Sequence, residues 1–490
     1  MSDKDSDSAI YTPATAPDVE LLPPPTDVDQ SHHARTRTGA RAGYFCNPWL
    51  SWQSAALTDV AAALRKGAVL KEPPRDGQAE QFERNGRLVR VRRPDWRASA
   101  GEGGVRVCWL GHASVLVRVP RPRLGGQGEQ GMVGVIFDPM FSKRCSPTQW
   151  FGPARYLDPP CSIEQLPPIH ICCISHDHYD HLDYDSIIRL YRANDTTIQF
   201  FVPLGVKAWF LACGIPERQV TEMDWHQEAV VRLPTEDAPR QRYRDAGYPP
   251  YARGSMPGGY DSTSDDDEGE LLGAEAYEDS PEGEPDSGEQ AEPVRYEPMS
   301  LKVVCTPAQH RSGRGLFDQM KTLWASWIVG VVDQAEAREQ GFGKGEPFKL
   351  FFGGDTGYRY AGVDKHERDR YICPAFEDIA QRYGPVSLAL LPISTGSSLS
   401  FLRNLIGLSL HHYSLTSAQH SNAWDAIQIA KVLGAKRAVA IHHSTFSPED
   451  ESRGCVYEFV KIAEREGASL DIDDEGCFAV PDIGQVLEIK

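Results

Sequence analysis

The run Ser175-His176-Asp177-His178-Tyr179-Asp180-His181-Leu182-Asp183 constrains this chain more than any other feature. Three imidazoles and two carboxylates fall within the six residues His176–His181, directly after the apolar run Ile169–Ile174. That run reads as a buried strand, and a loop at its end can aim several of these side chains at one point. A zinc ion takes about four ligands, mostly histidine nitrogens and carboxylate oxygens. An H-x-H-x-D-H cluster therefore divides naturally between two adjacent ions, with other loops completing each shell. A lone histidine reads as a side chain that faces water; a spacing of several such residues does not.

Two ions need ligands from further strand ends, and three positions qualify as polar residues placed just after apolar runs. His310 follows Leu301–Val304 and Thr306–Gln309, Asp355 follows Phe351–Gly354, and His442 follows Ala438–Ile441. Each alone is equally compatible with a buried polar residue held by backbone hydrogen bonds. The weight lies in their number.

Around these positions the chain alternates between short apolar runs and helical periodicity. Val105–Trp109, Ser114–Val119, Met132–Phe137, Ile169–Ser175, Gln199–Pro203, Leu301–Thr306, Lys349–Phe352, Ser387–Ile393 and Ala438–His442 are predicted strands. Tyr184–Ala193, Val206–Cys213, Cys373–Arg382, Ala423–Leu433 and Val456–Glu466 are predicted helices. The pattern is α/β: mixed sheets covered by helices, arranged as layers of one domain.

Charge places the rest. Of 490 residues, 51 are Lys or Arg and 69 are Asp or Glu, a net charge of −18, which argues against a nucleic-acid partner bound through a basic surface. Asp261–Pro293 holds 14 acidic residues and no Lys or Arg, so the remainder carries −18 + 14 = −4. Too little apolar surface lies in that stretch to offset the entropy of ordering it. Residues 238–297 are therefore expected to be an acidic disordered insertion, residues 1–42 a disordered tail, and residues 43–490 the folded domain. The opening Met1–Pro13 has no signal-peptide pattern, and no run approaches the ~18 apolar residues of a membrane span, so an intracellular, cytoplasmic protein is expected. The basic stretch His32–Arg41 leaves a mitochondrial address open, against the acidic start. Eleven cysteines without a C-x-x-C pair read as free thiols.

A wider set of segments narrows the reading: Phe45–Trp49, Trp109–Ser114, Phe137–Ser142, Ser146–Gln149, Leu166–Ile169, Ser175–Asp183, Phe201–Gly205, Thr306–His310, Gly354–Tyr358 and Ala440–His442. Together they resemble the N-acylphosphatidylethanolamine-hydrolysing phospholipase D family of the metallo-β-lactamase superfamily, over residues 43–237 and 298–450. The resemblance implies a four-layer αβ/βα sandwich and two Zn2+ ions. It implies His176, His178 and His310 on one ion, Asp180, His181 and His442 on the other, and Asp355 bridging. It also implies hydrolysis of N-acyl phosphatidylethanolamine to N-acylethanolamine and phosphatidic acid, peripheral membrane association and a homodimer. Two zinc ions bring the pKa of a shared water near neutrality, so hydroxide can attack phosphorus without a protein nucleophile.

Asp180 and His420 are the expected catalytic side chains, His420 as the acid that protonates the leaving alkoxide, with substrate orientation as its equally weighted alternative. Gln149, Gln419 and His420 are expected to contact substrate, whereas His112 reads as structural. Leu399–Leu410 replaces a shorter family stretch at the expected substrate entrance; its apolar spacing fits a core helix slightly better than a bilayer-facing one. Lys143, Arg144 and Arg155 after one strand end, and Arg311, Arg314 and Lys321 after His310, offer a basic region for an anionic lipid. Two rival readings stand beside this one: a hydrolase of the same fold acting on a soluble phosphodiester or a lactone, and a non-catalytic lipid-binding protein.

Overall fold

The computed structural model describes residues 16–35, 41–53, 89–96, 104–125, 131–235, 295–315, 317–343, 347–363, 366–394 and 416–489. Seventeen strands lie among them. In chain order they are β1 Asp18–Leu21, β2 His33–Arg35, β3 Arg41–Phe45, β4 Val105–Gly111, β5 Ser114–Arg121, β6 Gly131–Phe137, β7 Ile171–Cys173, β8 Gln199–Pro203 and β9 Val220–Met223. There follow β10 Glu228–Arg232, β11 Ser300–Thr306, β12 Ser326–Val332, β13 Lys349–Phe352, β14 Leu388–Pro392, β15 Arg437–Ile441, β16 Cys477–Ala479 and β17 Val486–Ile489. The α-helices are α1 Tyr184–Ala193, α2 Lys207–Ala212, α3 Ala375–Tyr383, α4 Ala423–Val432 and α5 Glu449–Glu466.

Eight strands form one sheet in the order β1-β10-β11-β12-β13-β14-β15-β16, and seven form the other in the order β17-β4-β5-β6-β7-β8-β9. The strands of both central regions are buried on both faces, so alternate residues serve different cores. In β4, Val107 and Trp109 join Phe137, Trp327, Phe352 and Leu390 in the core between the sheets. Cys108 and Leu110 point the other way, to the cluster shared with Ile187, Leu190 and Phe210 of α1 and α2. On the opposite outer face, Phe351, Ala389 and Leu391 pack with Phe376 and Ile379 of α3, Ile427 and Ile429 of α4 and Phe459 of α5. Helix, sheet, sheet, helix is the four-layer sandwich expected from the sequence.

The N-terminal segment departs from expectation. Residues 1–15 lie outside the described residues, but β1 pairs antiparallel with β10, from Asp18↔Arg232 to Leu21↔Ala229. Composition weighs side-chain burial and overlooks what a sheet edge offers a polar segment: backbone partners and charge pairing. Glu20 accepts an ion pair from Arg232 at 2.5 Å and from Arg338 at 2.9 Å. His32 and His33 reach the two oxygens of Asp224 at 2.7 Å each, and His32 stacks on Trp225. The acidic stretch and the apolar segment Leu399–Leu410 lie outside the described residues, except that Tyr296, near the end of the former, is buried and bridges Arg123. All eleven cysteines are free thiols. Among the described residues, no helix is long and apolar enough to cross a membrane.

Trp327 joins the sheets directly. It is fully buried in β12, and its indole N–H donates to the carbonyl of Ile174, just before the histidine-rich loop, at 3.0 Å. Trp327→Ala should lower unfolding free energy by about 3–5 kcal/mol, seen as a fall in denaturant midpoint with little change in slope.

Candidate metal centre

Every strand carrying a candidate residue delivers it at the same edge of the sandwich. β6 leads to Asp138, β7 leads through Ile174 into the histidine-rich loop, and β11, β13 and β15 lead to His310, Asp355 and His442. β6, β7 and β8 run parallel, as do β13, β14 and β15, so their carboxyl ends gather where α/β sheets place ligands. His112 enters from the tight β4–β5 turn. His112, Asp138 and His442 all have left-handed backbone, with φ of 49°, 40° and 63°. Strained non-glycine backbone of this kind persists where surrounding structure over-determines it, commonly at functional sites.

The side chains fall into two groups. In the first, His178 Nδ1 lies 2.9 Å from His176 Nε2 and 3.3 Å from His310 Nε2. In the second, Asp180, His181, His442 and His112 offer ligand atoms within 4.8 Å of one another. Asp355 stands between them. Its Oδ2 is 3.6 Å from His310 Nε2, while its Oδ1 is 2.8 Å from His442 Nε2 and 3.4 Å from His181 Nε2. Ligand atoms around a tetrahedral zinc sit about 3.3 Å apart, so spacings of this size suit cations better than direct contact between lone pairs.

The opposite ring nitrogens are anchored. His176 Nδ1 meets Ser175 Oγ at 2.8 Å, His310 Nδ1 meets the Gln419 carbonyl at 3.0 Å, and His181 Nδ1 meets Asp138 Oδ2 at 2.6 Å. Asp138 in turn accepts from Ser175 N at 2.7 Å. Anchoring one nitrogen fixes the tautomer and aims the other inward. What remains at the centre is unsatisfied: His181 Nε2, Asp355 Oδ1, His442 Nε2 and His420 Nδ1 are buried without a hydrogen-bond partner. Buried polar atoms without partners are costly, and three ring nitrogens placed around the two oxygens of one carboxylate fit metal ligation.

Electrostatics agree with that fit. Burial pulls His112 and His310 down to about 3 and His178 to about 4, so these imidazoles are neutral at pH 7 with lone pairs available. Burial would push Asp180 and Asp355 up, but His181 and His112 around the first, and His442 and His181 around the second, hold both well below the usual carboxylate range. Burial likewise opposes a charge on His181, yet Asp355, Asp180 and Asp138 hold it well above the usual imidazole range. Negative charge therefore outweighs this one buried imidazolium, which added cations would balance.

The structure brings all seven expected ligands into this centre, and His420 with them: its Nδ1 is 3.7 Å from Asp355 Oδ2, and its side chain is 15% exposed. Gln419 is present through its carbonyl. Gln149 is not gathered in. Its exposed carboxamide accepts from Arg144 N at 2.9 Å and donates to Arg144 O at 3.0 Å. His112 is the reverse case, for its Nε2 reaches Asp180 Oδ2 at 2.9 Å and its carbonyl accepts from His442 N at 2.7 Å. His112 and Asp138 obey the rule that found the others, a polar residue just past an apolar strand, so the signal was present in the sequence.

The pattern of the Beta-lactamase superfamily domain matches residues 134–241 and 277–443. The chain belongs to this superfamily. Among superfamily relatives, N-acyl-phosphatidylethanolamine-hydrolyzing phospholipase D 1 of Caenorhabditis elegans is 27% identical over 390 residues, covering 79% of this chain and 76% of that protein. The mitochondrial N-acyl-phosphatidylethanolamine-hydrolyzing phospholipase D of Saccharomyces cerevisiae is 23% identical over 313 residues, 64% of this chain and 44% of that protein. A solved metallo hydrolase of Ignicoccus hospitalis aligns with 16% identity and a TM-score of 0.37, over 79% of this chain and 99% of that one.

Asp138→Asn keeps the shape but removes the charge that orients His181. It should weaken metal retention by about 10–100-fold, read as metal content after dialysis against graded chelator, with the fold intact by circular dichroism.

Proposed function

We propose that this superfamily member is a zinc-dependent phosphodiesterase of phospholipase D type, hydrolysing N-acyl phosphatidylethanolamine to N-acylethanolamine and phosphatidic acid. The observation that carries this reading is the division of Asp355 between the two histidine groups, Oδ2 toward His310 and Oδ1 toward His181 and His442. The substrate class is taken from the nematode and yeast relatives named for that activity. His176, His178 and His310 would hold one zinc, Asp180, His181 and His442 the other, with Asp355 shared. Bound there, the pair would supply Lewis acidity toward the phosphodiester oxygens and a water acidified to near neutrality.

The protein's own groups do the remaining work. His112 holds the Asp180 carboxylate and Asp138 holds His181, so neither ligand can swing away when charge shifts at the centre. His420 lies beside Asp355 and keeps some exposure, a position from which it could deliver a proton to the departing ethanolamide oxygen. Burial pulls its pKa to about 3, so it rests neutral at pH 7 and would have to pass on a proton acquired during turnover.

Lipid mass spectrometry after incubation with N-acyl phosphatidylethanolamine vesicles should show N-acylethanolamine and phosphatidic acid in equal amounts. Asp355→Ala should lower turnover by about 10²–10³-fold together with zinc content. His420→Gln should lower kcat by about 10²-fold with zinc content unchanged, and normal turnover in that variant would remove His420 from the proton transfer. Hydrolysis of water-soluble diesters without lipid turnover would favour a soluble substrate instead.

A further inference from the structure

Gln149, set apart from the metal centre, belongs to a different device. Residues 144–154 form a stapled hairpin. Arg144 pairs with Ala154, Cys145 N donates to the Pro153 carbonyl at 3.1 Å, and Arg155 N donates to the Lys143 carbonyl at 2.9 Å. The Gln149 carboxamide closes the loop on both backbone groups of Arg144, and the Arg144 guanidinium reaches back to the carbonyls of Gln149 and Gly152. Both feet stand on segments that carry candidate ligands. Ser142 is bound to Asp183, and Tyr156 N donates to the carbonyl of Thr445, whose hydroxyl accepts from His112 N.

The tip of this rigid hairpin holds Trp150 and Phe151, 64% and 61% exposed, and Tyr156 at its foot is also exposed. Trp150 is the one exposed tryptophan of the ten in the chain. A second aromatic stands across the histidine-rich loop. Gly313 N donates to Asp177, and the Arg314 guanidinium lies over Tyr179, whose other neighbours are Met140, Cys145 and Phe446. The histidine-rich loop is thus flanked by the hairpin on one side and by residues 311–321 on the other, where Phe317 is 88% exposed. Lys143, Arg311 and Lys321 are exposed along the same two segments; Asp158 is the exposed acid beside them, and Asp318 is turned onto the amides of Arg314 and Gly315. Arg155 and Arg314 are turned inward, onto the Met140, Asp177 and Leu182 carbonyls, and so support the rim rather than project from it.

Ordered loops seldom hold paired aromatics out in water, and Trp, Phe and Tyr flanked by cations suit the interface of a bilayer. We propose that Trp150, Phe151 and Phe317 form a docking rim that seats the mouth of the metal centre on a membrane surface containing anionic lipid. The inference rests on the reading that the substrate is a bilayer lipid, which must leave the membrane at this mouth. Lys143, Arg311 and Lys321 supply the attraction, and the aromatic rings supply the insertion.

The test uses the full chain and vesicles of non-hydrolysable phosphatidylcholine with phosphatidylglycerol, so that binding is read apart from turnover. Brominated acyl chains should quench tryptophan fluorescence, and Trp150→Phe should remove most of that quenching. Trp150→Ser with Phe151→Ser should raise the lipid concentration for half-binding by about tenfold or more, while melting temperature and turnover of a short-chain dispersed substrate stay at parent values. Phosphatidylcholine alone, or high salt, should weaken binding of the parent. Equal partitioning of parent and double variant, or quenching that survives Trp150→Phe, would overturn the rim. So would a double variant that dissociates a dimer of the lipid-free chain, since a second copy would then cover the patch. Binding to vesicles that carry N-acyl phosphatidylethanolamine without release of N-acylethanolamine would instead sink the assigned activity and leave the rim standing.

Discussion

Two oxygens of one buried carboxylate, facing two groups of histidines, are the constraint on which the rest of this structure depends. Asp355 is buried, and the nitrogens nearest its two oxygens, on His181, His310, His420 and His442, converge from separate loops. An arrangement so crowded with lone pairs and negative charge is unfavourable as an apolar core and becomes favourable once cations share it. The two sheets, the strained turns and the anchoring of the far ring nitrogens can all be understood as means of holding these groups where they would not otherwise stay.

The anchors show how local sequence serves that end. Ser175 has its backbone N–H and its hydroxyl on Asp138, while the same hydroxyl meets His176, so one small residue fixes two neighbours of the centre. Gly354, with φ of 56°, turns the chain into Asp355 where an added Cβ would press on Ser175 at 2.7 Å. The N-terminal segment contributes from outside the sandwich: Asn47 donates to the His310 carbonyl at 2.7 Å, and Ser51 bonds to Gln309. Gln309 also donates to the Ala418 carbonyl, two residues before His420.

Much of this was legible in the sequence because ligand-bearing loops follow strands, and strands announce themselves by apolar runs. Val105–Trp109, Gln199–Pro203 and Lys349–Phe352 fall on observed strands with small shifts or none. The central strand Ser326–Val332 is not marked in the sequence, because Leu323–Val332 is apolar apart from Ser326 and Gly330, without punctuation to show where a strand begins. Asp18–Leu21 was missed for the opposite reason: its stability comes from an edge supplied by distant residues. His112 was judged by its own short motif, and only folding reveals that its neighbours are Asp180 and His442. Gln149 likewise matched a family segment, while its carboxamide closes its own hairpin.

The antiparallel pairing of β10 with β11 fixes where the acidic segment joins the body. β11 runs toward His310, so Ser300, at its start, lies at the far edge, beside Arg232 at the end of β10. Seven residues of extended chain put roughly 23 Å between that edge and the ligand end. At physiological ionic strength a charge is screened over about 8 Å. The attachment points of the most electronegative part of the chain are therefore electrically remote from the opening through which a phosphodiester would arrive.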